Sequence, residues 1–104
     1  MASSLDYLNY VLEELKNVGS ITYKKMFGEY GLYCDGVYFA LICDNRLLIK
    51  VTGIGRTIYI NYKLDIPYSG GNPMFLIDNF EDKLLLKELI QKTCEELSMK
   101  KEKK

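Results

Sequence analysis

The sequence predicts an α+β fold in two layers, an antiparallel sheet covered by helices, with elements in the order α-β-β-β-α-β-β-α. Three observations point to it. Apolar residues recur at helical spacing at both ends of the chain. Between them lie short apolar stretches broken by turn residues, with an Asp-Gly pair at Asp35-Gly36. With 104 residues there is room for one domain, assigned here to residues 1–98, with 99–104 a lysine-rich tail.

The first helix is capped by Ser3 or Ser4. Leu5, Leu8, Leu12 and Leu15 form one face, widened by Val11 and Val18. Gly19 stands where a helix ends on a residue of positive φ. The sheet starts near Ile21 and dominates residues 30–51. Asp35-Gly36 reads as a two-residue type I′ hairpin pairing Cys34 with Val37. Strict alternation from that turn places Leu32, Cys34, Val37, Phe39, Leu41 and Cys43 on the core face, and Tyr33, Tyr38, Ala40 and Ile42 on the other.

At the next turn, Asp44-Asn45-Arg46, a two-residue loop on that register would bury Arg46 and Lys50. Burying unpaired charge costs several kcal/mol, so a three-residue loop is expected, pairing Cys43 with Leu47 and sending Leu47, Ile49 and Val51 inward. Asn45 or Arg46 then takes the left-handed conformation. A short helix is expected around residues 55–63, with Ile58 and Tyr62 inward. Strands follow at Leu64–Tyr68 and Met74–Ile77, around the loop Ser69-Gly70-Gly71-Asn72-Pro73. The last helix opens on a capping box, Asp78-x-x-Glu81, and buries Phe80, Leu84 to Leu86, Leu89, Ile90, Thr93 and Leu97.

Composition narrows the chemistry. With no histidine, the usual neutral-pH base and the commonest zinc ligand are both missing. Cys34, Cys43 and Cys94 lack metal-type spacing and read as reduced thiols of a cytoplasmic protein. The longest apolar run, Val37 to Cys43, is far short of the ~20 residues that span a bilayer, so no membrane partner is expected. Residues 1–99 carry 10 of the 14 basic and 13 of the 14 acidic side chains, a net of −3, so the overall field does not draw nucleic acid.

Residues 26–37, Met-Phe-Gly-Glu-Tyr-Gly-Leu-Tyr-Cys-Asp-Gly-Val, resemble the signature of the TfoX/Sxy family's N-terminal domain. The match continues through Phe39 to Ile42, Leu47 to Val51 and Ile66-Pro67-Tyr68, covering about residues 20–98. The chain departs from the pattern at Glu29, where a second glycine is common, and at Cys34, often leucine. The resemblance implies a two-layer, secretion-chaperone-like fold and a regulatory, non-catalytic role. Full-length members help switch on DNA-uptake genes alongside a cyclic-AMP-responsive activator and carry a second, helical domain; a chain ending at Lys104 is expected to be a stand-alone version.

The candidate partner-binding residues are Tyr23, Lys24, Lys25, Met26, Phe27 and Tyr30, two lysines amid aromatic and methionine side chains. The competing reading makes Met26 and Phe27 core and the lysines solvated, with Gly28 and Gly31 bending the strand. Gly53-x-Gly55-Arg56 lacks a phosphate-loop fingerprint and reads as a turn, and Asp35 and Asp44 are turn residues rather than a carboxylate pair. No catalytic, cofactor or metal residue is expected. The expected partner is a protein of the transcription machinery or a regulator. The alternatives are nucleic acid held by Lys24, Lys25 and the tail, or a small ligand on the tyrosine-rich face. A homodimer through that face or an edge strand stays open.

Overall fold

The computed structural model describes residues 5–26, 29–67, 69–78 and 80–102. Among them are three helices and six strands: α1 (Leu5–Glu14), β1 (Ile21–Met26), β2 (Glu29–Cys34), β3 (Val37–Cys43), β4 (Arg46–Ile49), α2 (Gly53–Ile58), β5 (Lys63–Asp65), β6 (Met74–Ile77) and α3 (Lys83–Glu102). The strands form one antiparallel sheet in the order β1-β2-β3-β4-β6-β5, open at β1 and β5. The expected α+β architecture is present, and its first run of strands comprises four, the segment from Ile21 pairing as a strand of its own.

All three helices contribute to one core. Leu8 and Val11 of α1, with Leu15 and Val18 just past it, meet Leu86, Leu89, Ile90 and Cys94 of α3 over Leu32, Phe39, Ile42, Leu47, Ile49 and Phe75 of the sheet. Leu5 and Leu84, both placed in apolar stripes, are instead exposed, because the helix–sheet contact takes a narrower arc than the leucine spacing offers. The proposed Ser3 or Ser4 cap lies outside the described residues. Gly19 does not have positive φ. Its requirement is space, since a Cβ there would stand 3.1 Å from Cys34 Sγ.

The face assignment changes midway along β3. The Asp35-Gly36 turn is as expected, with φ of 51° and 85° and Cys34 opposite Val37. The register then shifts: Tyr33 faces Tyr38 but Leu32 faces Ala40, so one residue of β3, Phe39, is left over in a bulge. Phe39 and Ala40 both enter the main core, and alternation resumes with the opposite phase. Ala40 and Ile42 therefore face the helices, while Leu41 and Cys43 join Leu48 and Met74 in a second cluster on the back of the sheet.

The bulge also corrects the next turn. Cys43 pairs with Arg46 across a two-residue loop, with Asp44 and Asn45 at φ of 57° and 56°. Because Cys43 is already on the back face, this shorter loop sends Leu47 and Ile49 into the core, and Arg46 lands outside it. There Arg46 donates to Asp65 Oδ2 at 2.6 Å and to the carbonyls of Cys43, Ile66 and Pro67. The Cys43 thiol donates to the Pro67 carbonyl at 3.0 Å. These bonds hold the segment after β5 over the back face, which explains how Leu48 is fully buried there.

Helix α2 starts at Gly53 rather than residue 55, with Thr52 as its N-cap: the Thr52 hydroxyl accepts from the Gly55 N–H at 3.0 Å. Ile58 and Tyr62 pack on the core as expected, and Tyr59 and Tyr62 meet Phe75 edge-on. Strand β5 ends at Asp65, and Tyr68 lies outside the described residues. Helix α3 begins at Lys83, not near Asp78. Asp82 is its cap, accepting from the Leu85 N–H at 3.1 Å, while Asp78 is engaged by Lys63. Among the described residues no helix is long and apolar enough to cross a membrane.

Candidate functional site

Among the described residues strand β1 lies at the edge of the sheet and pairs only with β2. The Ser20 carbonyl accepts from the Asp35 N–H at 3.0 Å, which fixes the phase of the ladder. Thr22 and Lys24 turn their backbone groups toward β2, and Ile21, Tyr23 and Lys25 turn theirs outward. The edge thus presents a row of peptide donors and acceptors with no strand partner among the described residues, the template that strand addition requires.

The side chains of β1 divide between the two faces. Tyr23 is opposite Leu32 and so shares the helix-bearing face, where its ring meets that of Tyr30 edge-on at 5.8 Å. Lys25 is opposite Tyr30 on that same face. Lys24 points to the back, its ammonium 5.5 Å from the centre of the Tyr33 ring. Strand alternation therefore brings Tyr23, Lys25 and Tyr30 together and sends Lys24 away from them. The backbone of Met26 continues the strand opposite Glu29, and Phe27 lies outside the described residues.

A groove of about 420 Å³ runs beside the edge, between α1 and β1. Its walls are Leu12, Lys16, Gly19, Ile21, Thr22 and Tyr23. Leu12 and Lys16 belong to this site although the sequence reading did not include them. The one signal available was that Leu12 and Lys16 are four apart and share a helix face, with Leu12 at the margin of the apolar stripe. Lys16 is steadied by Glu13 at 2.6 Å in an exposed pair.

The alternatives weighed for chemistry are occupied by structure. The first N–H groups of α2, in the Gly53-x-Gly55 turn, are held by the Glu96 carboxylate, at 3.1 Å from Ile54 N and 3.4 Å from Gly53 N. An acidic side chain already fills the place a phosphate would take. Cys34 and Cys94 adjoin across the interface between β2 and α3, and all three cysteines are buried free thiols. Burial raises the pKa of each, and for Cys94 burial with the neighbouring Cys34 pushes it up to about 12. At neutral pH these are protonated, poorly nucleophilic groups.

The family model described as the TfoX N-terminal domain matches residues 13–97, from the end of α1 through most of α3. The chain belongs to the TfoX N-terminal domain family. A similar protein is the uncharacterized 12.7 kDa protein in the trpE 5′ region of Spirochaeta aurantia, 33% identical over 79 residues. That match covers 76% of this chain and 69% of the relative. The matched span includes the edge strand, the Tyr30 contact and the back-face tyrosines.

Proposed function

We propose that this TfoX N-terminal domain is a non-catalytic protein-interaction module of bacterial gene regulation, acting in the cytoplasm and docking an extended, acidic segment of a regulatory protein as a seventh strand on β1. The observation that carries it is the open edge of β1, with outward backbone groups at Ile21, Tyr23 and Lys25. Lysines stand on both sides of that edge, Lys25 on one and Lys24 on the other. A bound strand carrying acidic residues toward each face would meet a cation on both. The groove floored by Ile21 and walled by Leu12 and Tyr23 takes an apolar side chain from the same strand.

Lysines also protect edges from indiscriminate pairing. Main-chain pairing supplies affinity and the side-chain contacts select the partner. The division of Lys24 and Lys25 between two faces weighs against a continuous basic track for nucleic acid, which would need both on one surface.

The test is capture from extract of the source organism with nuclease present, comparing the unaltered chain with Lys25→Pro. That change removes an outward N–H and leaves the ladder to β2 intact. A regulator or polymerase subunit held by the unaltered chain and lost with Lys25→Pro, at unchanged melting temperature, is the expected result. Recovery of nucleic acid alone, of the chain itself alone, or of a partner indifferent to the proline refutes the proposal.

A further inference from the structure

Lys50 follows the last residue of β4 and is held there by its N–H, which donates to the Phe39 carbonyl at 2.9 Å. Its ammonium lies 4.4 Å from the centre of the Tyr38 ring, and the residue as a whole is half-buried. It opens into a cavity of about 400 Å³ at the end of the sheet where β3 and β6 begin. Leu41, Pro67 and Met74 line it, Asn72 lines it as well, and no carboxylate lies among the described residues lining it. Removal from water lowers the pKa of Lys50, and no ion pair to a described carboxylate offsets that loss. The Tyr38 face recovers only about 0.5–2 kcal/mol of it.

Long lysines ordinarily reach past apolar walls into water. Here the side chain is instead folded onto a ring beside an apolar hollow, and the size of the hollow is at the lower end of those that take small ligands. A cation on a largely apolar cavity that an asparagine also lines complements a molecule with one anionic end and an apolar body. We propose that the Lys50–Tyr38 cavity binds a small organic carboxylate, with the carboxylate on the Lys50 ammonium and the Asn72 amide and the hydrocarbon against Leu41, Pro67 and Met74. The site is built on β3, the end of β4 and β6, inward of the β1 edge in the sheet order, and its contacts are separate from the outward backbone groups of β1.

The test is titration of the isotopically labelled chain with octanoate and 4-phenylbutyrate, with octan-1-ol as the uncharged control, read by amide chemical shifts. Saturable shifts are expected at Tyr38, Lys50, Asn72 and Met74. Octan-1-ol is expected to bind at least about tenfold more weakly, the least that loss of a hydrogen bond to a charged group costs. Lys50→Met should remove the preference for the carboxylate while leaving the melting temperature within a few degrees. Binding that does not saturate, shifts confined to other residues, equal affinity for octan-1-ol, or an unaltered carboxylate preference in Lys50→Met each overturns it.

Discussion

Replacing Gly55 by alanine sets two effects of known sign against each other. Gly55 is inside α2, where alanine is worth about 1 kcal/mol over glycine on helix propensity alone. An added Cβ, however, would stand 2.8 Å from Thr52 Oγ1, 3.0 Å from Phe75 Cε2 and 3.3 Å from Leu89 Cδ1. None of these can easily give way. Phe75 is fully buried between Tyr59 and Tyr62, Leu89 is 1% exposed, and Thr52 Oγ1 is engaged as the cap of α2. Overpacking of a tight core costs about 1–3 kcal/mol, and displacement of the cap about 1 kcal/mol more. The clash outweighs the propensity, and the net loss is about 1–3 kcal/mol. For a domain of this size that lowers the melting temperature by roughly 5–20 °C and the urea midpoint by about 1 M. Thermal and urea unfolding followed by circular dichroism read both. Alanine at 55 melting at or above the unaltered chain refutes the packing described around α2. A Thr52→Ala, Gly55→Ala double variant should lose less than the two single losses combined, because both remove the same cap.

Four further outcomes are expected. Gly36→Ala has open space around its Cβ but a φ of 85°, so it should lose about 1–2 kcal/mol from backbone strain alone, with Gly36→Asn recovering part of that in the same unfolding assay. The hydroxyl of Thr93 is fully buried without a hydrogen-bond partner among the described residues, so Thr93→Val should raise stability by about 1 kcal/mol; a loss would mean that the hydroxyl is satisfied. Asp65 has its pKa held down by the bond from Arg46, then by the Ile66 N–H, so its contribution is complete above about pH 4 and is lost as pH falls through its lower folded value. Asp65→Asn should therefore flatten the acid limb of a stability–pH curve, and an unchanged limb would show that the Arg46 tie is not formed. With Cys94 at about 12, only about one thiol in ten thousand is ionised at pH 8, so iodoacetamide should label it in urea and spare it in the native chain, as mass spectrometry would show.

Much of the fold could be read from residues, and the misreadings share a physical origin. The Asp35-Gly36 turn, the inward Leu47 and Ile49 and the buried face of α3 follow from turn chemistry and periodicity. Two inferences about the β3–β4 turn were wrong in compensating ways. A bulge leaves Phe39 over and reverses the phase of β3, and nothing in Phe39-Ala40-Leu41-Ile42-Cys43 marks it, since every residue there is apolar and fits either face. The three-residue loop was inferred to avoid burying Arg46, a danger that the reversed phase had already removed. At the start of α3, Asp78 and Asp82 both suit a cap. Asp78 is drawn off by Lys63 on β5, a tertiary contact that local sequence does not encode.

The candidate site was located in the chain but not resolved into surfaces. Tyr23, Lys25 and Tyr30 converge and Lys24 does not, which follows from strand alternation once β1 is known to be a strand. That β1 is at an edge depends on the order of all six strands, and its groove depends on where α1 lies. Neither is local information. The Lys50 cavity is further still from the sequence, since its walls come from β3, β6 and the segment between β5 and β6.

Amide hydrogen exchange along β1, measured in the free chain and in the captured complex, bears most directly on partner docking at the edge. In the free chain the outward amides of Ile21, Tyr23 and Lys25 should exchange faster than those of Thr22 and Lys24, which are paired to β2. Partner binding should slow the exchange at those three alternate positions. Exchange there that is unchanged by the partner, with protection appearing elsewhere on the domain, would contradict strand addition at β1.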